Sequence, residues 1–145
     1  MTKKYKMPPE EYYGILQDLE LREIYLERCS TRIDREVFLG ESNIKVQVRD
    51  KADFKILDDG FSVRHKYDIK IVPGDETLGT ALTISATFCA NFSHPDKIDN
   101  LKEFFTVFSD VNLPLNTWPY FRELAQSMTQ RANVPPLTLP FIKRR

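Results

Sequence analysis

Two histidines and two cysteines are the residues of this sequence best suited to chemistry, and their settings point away from it. His65 falls on the apolar phase of an alternating stretch, where a buried histidine with satisfied hydrogen bonds is a better reading than a catalytic base. His94 sits in Ser93-His94-Pro95, at a change of period, and reads as a turn residue. Cys29 and Cys89 are not close in sequence to each other or to either histidine, so no zinc site is expected. Cys89, on a strand-like stretch, reads as packing. Gly74-Asp-Glu-Thr-Leu-Gly79-Thr80 has the spacing that opens a phosphate loop, but it lacks the lysine, and Asp75 and Glu76 would repel phosphate. A hairpin loop is expected there. No Gly-x-Ser-x-Gly elbow and no Gly-x-Gly-x-x-Gly occurs. Carboxylates are plentiful but scattered along wet strand faces. Asn91-Phe92-Ser93 matches a glycosylation site by pattern alone, and Lys143-Arg144-Arg145 reads as a solvated end. No enzyme, no cofactor and no metal is expected.

The elements that hold these residues follow from composition and period. The chain has 145 residues, suited to one domain over positions 1–145. Lys+Arg and Asp+Glu are 21 each, so the net charge is zero, which counts against nucleic acid as a partner. At 41% hydrophobic and 29% charged, the composition is that of a folding chain. No apolar run approaches the ~18–20 residues that span a bilayer, and the lysine-bearing start has no apolar stretch after it, so neither membrane insertion nor a signal peptide is expected. With two cysteines, a reduced cytoplasmic protein is the default.

From Leu19 to Ile33 the apolar residues alternate with a slip near Arg22-Glu23, which predicts a bulged strand. Ile44, Val46, Val48, Ala52, Phe54 and Ile56 then hold the even positions of a long strand, broken on that side only by Asp50. Asp58-Asp59-Gly60 predicts a hairpin turn. The third strand puts Phe61, Val63, Tyr67, Ile69 and Ile71 on one side, and Pro73-Gly74-Asp75 turns the chain again. A fourth strand is predicted from about Leu78 to Phe92. Its odd side, Ala81, Thr83, Ser85, Thr87 and Cys89, is small and uncharged, a face that another subunit could cover. The period then changes: Ile98, Leu101, Phe105, Phe108 and Asn112 mark an amphipathic helix, with Asp96 or Asp99 near its start. Leu113–Pro119 is predicted to be a loop. A second helix carries Tyr120, Phe121, Leu124, Ala125, Met128 and Ala132 on one face and ends at Asn133 and Pro135-Pro136. Strands followed by helices make the fold class α+β: a four-stranded antiparallel sheet followed by two C-terminal helices.

The C-terminal third holds more apolar matter than one small domain readily buries: Leu113, Leu115, Trp118, Tyr120, Phe121, Leu137, Leu139, Phe141 and Ile142. In this region Asn112-Leu-Pro-Leu-Asn-Thr-Trp118-Pro119-Tyr120-Phe121-Arg122-Glu123, then Arg131 and Val134-Pro-Pro-Leu-Thr-Leu-Pro140, resembles the C-terminal segment of the SecB family. The resemblance lies in an aromatic-Pro-Tyr-x-Arg-Glu motif opening the last helix and a Pro- and Leu-rich tail following it. The order of strands and helices is also the SecB order.

The resemblance implies a cytoplasmic, ATP-independent holdase. It also implies a homotetramer built as a dimer of dimers, with unfolded polypeptides held on outer apolar grooves and with no cofactor. The implied client surface is Phe92, Leu113, Leu115, Trp118, Tyr120, Phe121, Leu124, Met128 and Leu137. The implied oligomer interface is Leu82, Ile84, Leu101, Phe105 and Phe108. Clients would be preproteins for export or an antitoxin. Export members of the family are acidic and dock the motor ATPase SecA through the sheet. This chain is neutral, and its second and third strands carry Lys45, Arg49, Lys51, Lys55, Arg64, Lys66 and Lys70 on the wet side. It also lacks the Asn-Phe-Asp-like stretch of those members after the Pro-rich segment. Both departures count against SecA and bring the chain nearer the SecB-like chaperones that guard an antitoxin. Two other readings stand beside this one: a carrier of small apolar ligands between sheet and helices, and a nucleic-acid binder using the Lys45–Lys70 face.

Overall fold

The computed structural model describes residues 4–40, 43–135, 137 and 139. The Lys143–Arg145 tail, Phe141, Ile142, Pro136 and Pro140 lie outside them. Strands β1 (Glu20–Ile33), β2 (Ile44–Leu57), β3 (Gly60–Pro73) and β4 (Leu82–Ser93) form one antiparallel sheet in the order β1-β4-β3-β2. Helices α1 (Pro9–Asp18) and α2 (Arg35–Gly40) flank β1 in the chain, and α3 (Leu101–Asp110) and α4 (Asn112–Arg131) follow β4. The fold is α+β, with a four-stranded antiparallel sheet as the alternation predicts.

Register turns the alternation into two faces. Phe61 pairs with Phe92, Val63 with Ala90 and Ile69 with Ile84, so the apolar phases of β3 and β4 share one side. Val46 pairs with Ile71 and Phe54 with Val63, so the even side of β2 joins them. On this helix side, every odd residue of β3 from Phe61 to Ile71 is buried. The other side is polar. β1 reaches the same alternation through two slips, one between Leu21 and Glu23 and one between Leu26 and Arg28. The extra residue at each slip keeps Leu21, Ile24 and Leu26 facing the helices, opposite Phe92, Ala90 and Phe88.

Two apolar clusters fill the space under the helices. One joins Tyr67, Ile69, Ile84 and Phe88 to Trp118, Phe121 and Ala125 of α4. The other joins Phe61, Val63 and Phe92 to Phe104, Phe108 and Leu113. Burying each such side chain contributes roughly 1.5–3 kcal/mol, so the two clusters are the main reason α3 and α4 lie on this side. Gly60 closes the β2–β3 hairpin where nothing larger fits: a β-carbon there would lie 2.0 Å from the Phe92 carbonyl oxygen.

The structure departs from the sequence reading at four places. Leu113–Pro119 is helical, not a loop: Pro114 falls in the first turn of α4, where a missing N–H costs nothing, and Pro119 sits inside the helix. The helix before it stops at Asp110 and Asn112 begins the next. β4 starts at Leu82 rather than Leu78, because Glu76–Leu78 form a 3₁₀ turn and Gly79 takes a φ of 86°. Helices α1 and α2 were not anticipated. Pro9 at the start and Glu10 and Glu11 in the first turn were the signal for α1. For α2 it was Asp34, whose Oδ1 accepts from the Val37 N–H at 3.2 Å. The end of α4 is as expected. Asn133 adopts a φ of 53°, the Asn133 N–H reaches the Gln130 carbonyl at 3.0 Å and the Val134 N–H the Thr129 carbonyl at 3.2 Å, a left-handed helix stop.

Candidate functional site

Helix α4 carries most of the residues implicated by sequence, and the fold divides them by exposure. Phe121 is fully buried, stacked on Tyr67 with ring centres 5.0 Å apart, and Trp118 lies 5.8 Å from Phe121 with 9% of its surface exposed. Leu113 is fully buried, and Phe92 stacks on Phe61 at 5.1 Å. These four hold the chain's own core. Leu124, Met128 and Leu137 are half-buried at the edge of the α4 cluster. Leu115 and Tyr120 are each 50% exposed. Tyr120 lies over β4, 6.1 Å from the Phe88 ring.

Of the oligomer residues, Leu82, Ile84 and Phe108 are closed inside the single chain, at 1% exposure or less. Leu101 and Phe105 are half-buried on α3, and Phe105 stacks on Phe54 of β2 at 4.1 Å. The uncharged side of β4 is screened within the chain at Cys89. The Arg64 Nε of β3 reaches across to the Glu27 Oε1 of β1 at 3.1 Å, over Cys89.

Sequence reasoning passed over the margins of the helix side. Ile44, Val46 and Val48 of β2 pair with Pro73, Ile71 and Ile69, yet stay 41%, 41% and 43% exposed because the helices do not reach that far. On the opposite rim, Leu21 and Leu26 of β1 are 40% and 44% exposed. Both strands are sheet edges, so apolar side chains and unpaired backbone groups run together along each margin. The even phase of β2 was the available signal; only the helix positions reveal that its far end is uncovered.

Four polar side chains, Asp50, His65, Tyr67 and Thr117, cluster where α4 meets the sheet. His65, 1% exposed, places Nε2 2.8 Å from the Asp50 Oδ2 and Nδ1 2.8 Å from the Thr117 Oγ1. The Tyr67 hydroxyl reaches the same Thr117 oxygen at 2.7 Å, and the Thr117 hydroxyl lies 3.1 Å from the Leu113 carbonyl. This accounts for Asp50, the one polar break in the apolar phase of β2. The order carboxylate, imidazole, hydroxyl is that of a nucleophile relay. Thr117 is fully buried, however, and a nucleophile needs an approach from solvent. The connection ties β2, β3 and α4 together, and His65 is the satisfied buried histidine that its position in the sequence suggested.

On the far side of the sheet, Tyr25, Glu27, Arg64 and Cys89 form a second polar cluster, and three of them, Tyr25, Arg64 and Cys89, line an open groove of about 480 Å³. Burial first, then the hydrogen bond to Glu27, pushes the Cys89 thiol above its ordinary pKa. The same bond, with Arg64, holds the Glu27 carboxyl below the usual range. A raised thiol pKa is the opposite of what a reactive cysteine needs. Among the described residues no group of three His, Cys, Asp or Glu could hold a metal ion, and no helix is long and apolar enough to cross a membrane.

No family model and no curated protein matches the sequence. Solved structures do match. The chain superimposes on a SecB-like chaperone of Mycobacterium tuberculosis, solved in complex with a ChAD peptide from the HigA1 antitoxin. The TM-score is 0.79 at 20% sequence identity, over 94% of this chain and 99% of that one. A protein of unknown function from Streptococcus agalactiae aligns with a TM-score of 0.48 at 14% identity, over 85% of this chain and 97% of that one. The chain therefore has a SecB-like fold.

Proposed function

We propose that this SecB-like fold works as a holdase chaperone, one domain over 1–145 that captures non-native polypeptide without ATP. The observation that carries the reading is the pair of exposed apolar margins beside α4, each running along a sheet edge. A binder of many sequences needs apolar contact that adapts and backbone hydrogen bonds that ignore sequence, and an edge strand beside an apolar strip offers both. Leu115, Tyr120, Leu124, Met128 and Leu137 are the contact residues of the α4 surface. Trp118, Phe121, Phe92 and Leu113 act beneath it by holding it in shape. The favoured client is an antitoxin, supported by the fold neighbour and its antitoxin peptide. Export preproteins are the other client class, with SecA disfavoured by the basic strand residues. The working form is a cytoplasmic homotetramer, a dimer of dimers, with Leu101 and Phe105 of α3 facing the second copy.

The experiment is suppression of aggregation of a reduced, unfolded protein, with no nucleotide added. Leu115→Ser with Tyr120→Ser should weaken capture by roughly 1–3 kcal/mol while leaving the circular dichroism spectrum and melting curve unchanged. Undiminished capture by a folded double variant would remove this surface from the proposal.

A further inference from the structure

The helix-free side of the sheet carries a charge pattern that client holding does not use. β2, β3, β4 and β1 lie side by side, and three consecutive cross-strand rows concentrate its cations. One row runs from Gln47 through Lys70 and Thr83 to Arg32. The next runs from Arg49 through Asp68 to Ser85, and the third from Lys51 through Lys66 and Thr87 to Arg28. Six exposed cations thus ring a floor of small hydroxyl residues on β4, with Asp68 as the one acid in the three rows. Asp68 is already engaged, accepting from Ser85 and lying 3.8 Å from Lys66. Among the described residues none of Arg28, Arg32, Arg49, Lys51 and Lys70 has a carboxylate within ion-pair distance. The field stops abruptly, because the adjoining row brings in Asp53 and the Arg64–Glu27 pair.

Lys51 directly opposite Lys66 is a placement that costs stability, since like charges face each other across the strands. A chain of net charge zero has acids enough to avoid it. We propose that this face docks an acidic segment of a partner polypeptide, lying extended along the strands, its carboxylates over the cations and the Thr83 and Thr87 hydroxyls of β4 donating to them. Successive carboxylates on one side of an extended chain are about 6.6–6.8 Å apart, the spacing of Arg49 from Lys51 along β2, and Lys66 and Lys70 of β3 stand two such repeats apart. A nucleic acid fits less well. The three rows contain no aromatic residue on which a base could stack, and the net charge gives no long-range attraction for a duplex. The surface is separated from the α4 margins by the thickness of the sheet, so this inference stands independently of the holdase reading.

The test uses the full chain and a short fluorescein-labelled peptide of alternating Glu and Thr, with a single-stranded oligonucleotide as competitor. Anisotropy should report binding that weakens with added salt. Lys51→Glu with Lys66→Glu should weaken it by about tenfold or more, while Lys55→Glu, beyond the basic rows, changes it little. The single variant Lys51→Glu places an acid opposite Lys66, so its melting temperature should hold or rise while peptide binding falls. That combination excludes misfolding as the cause. Absence of peptide binding, unchanged binding in the charge-reversed variants, or tighter binding of the oligonucleotide at the same ionic strength would each overturn the proposal.

Discussion

At Thr117 three hydrogen bonds meet on one hydroxyl, with His65 Nδ1, with the Tyr67 hydroxyl and with the Leu113 carbonyl. Replacing it by valine keeps the shape and removes every polar partner at once. The His65 Nδ1 would then be buried without its Thr117 partner, which costs about 1–3 kcal/mol before relaxation, and the Tyr67 hydroxyl would lose one of its contacts. Thr117→Val should therefore lower the urea midpoint sharply, with an unchanged slope, and a double-mutant cycle with Tyr67→Phe should show strong coupling. The two cysteines offer a second test. Cys29 is exposed, whereas Cys89 is buried with its thiol pKa raised by burial and by Glu27. Alkylation followed by mass spectrometry should modify Cys29 first and Cys89 only on unfolding. At this scale the sequence was half legible. The polar break at Asp50 and the apolar setting of His65 were visible, but not that each answers the other, because the pairing depends on hairpin register and on α4 arriving from 52 positions away.

Among the elements, α1 holds its place largely through Tyr12, which is buried against Phe104 and donates to the Asn112 Oδ1 at 2.5 Å. Burial first, then the neighbouring Tyr13 and Tyr5, pushes the Tyr12 pKa well above the ordinary tyrosine value near 10. The sign follows from linkage. The contribution of Tyr12 is fully present below that ordinary value and is lost as pH climbs from it toward the raised one, since the unfolded chain ionises first. Stability should fall in alkali above about pH 10, and Tyr12→Phe should flatten that fall in a series of urea titrations. The strands were legible because period 2 is written in side chains alone. The helices at the N-terminal side and over Leu113–Trp118 were not, for two different reasons. α1 is short, with Tyr12 as its one buried side chain, and so writes a weak stripe. In α4, Pro114 looks like a loop residue and Pro119 like a helix start, yet Pro114 falls in the first turn and the burial of Leu113, Thr117, Trp118 and Phe121 outweighs the bond that Pro119 withholds.

For the molecule as a whole, assembly is the outstanding quantity. Leu101 and Phe105 leave apolar surface on α3, and closed symmetric assembly would cover it. Light scattering at micromolar concentration should give about four chain masses. Leu101→Asp should reduce the mass to that of a dimer, because a charge would enter a dry contact; a monomer at every concentration would refute the tetramer. Phe105→Asp is the less clean variant, since Phe105 also stacks on Phe54 within its own chain.

The two bulges of β1 have a bearing on where such assembly can stop. β2 offers an outer edge paired without a slip along its whole length, whereas β1 presents an edge twice interrupted, at Arg22 and at Glu27. Adding β2 of one molecule to β1 of the next would be a head-to-tail contact, and a contact of that kind repeats without limit into a fibre. A straight strand cannot follow a twice-bent one in register, so that addition is blocked after a few residues. Apolar margins can thereby stay open along both edges without the molecule polymerising through its own sheet.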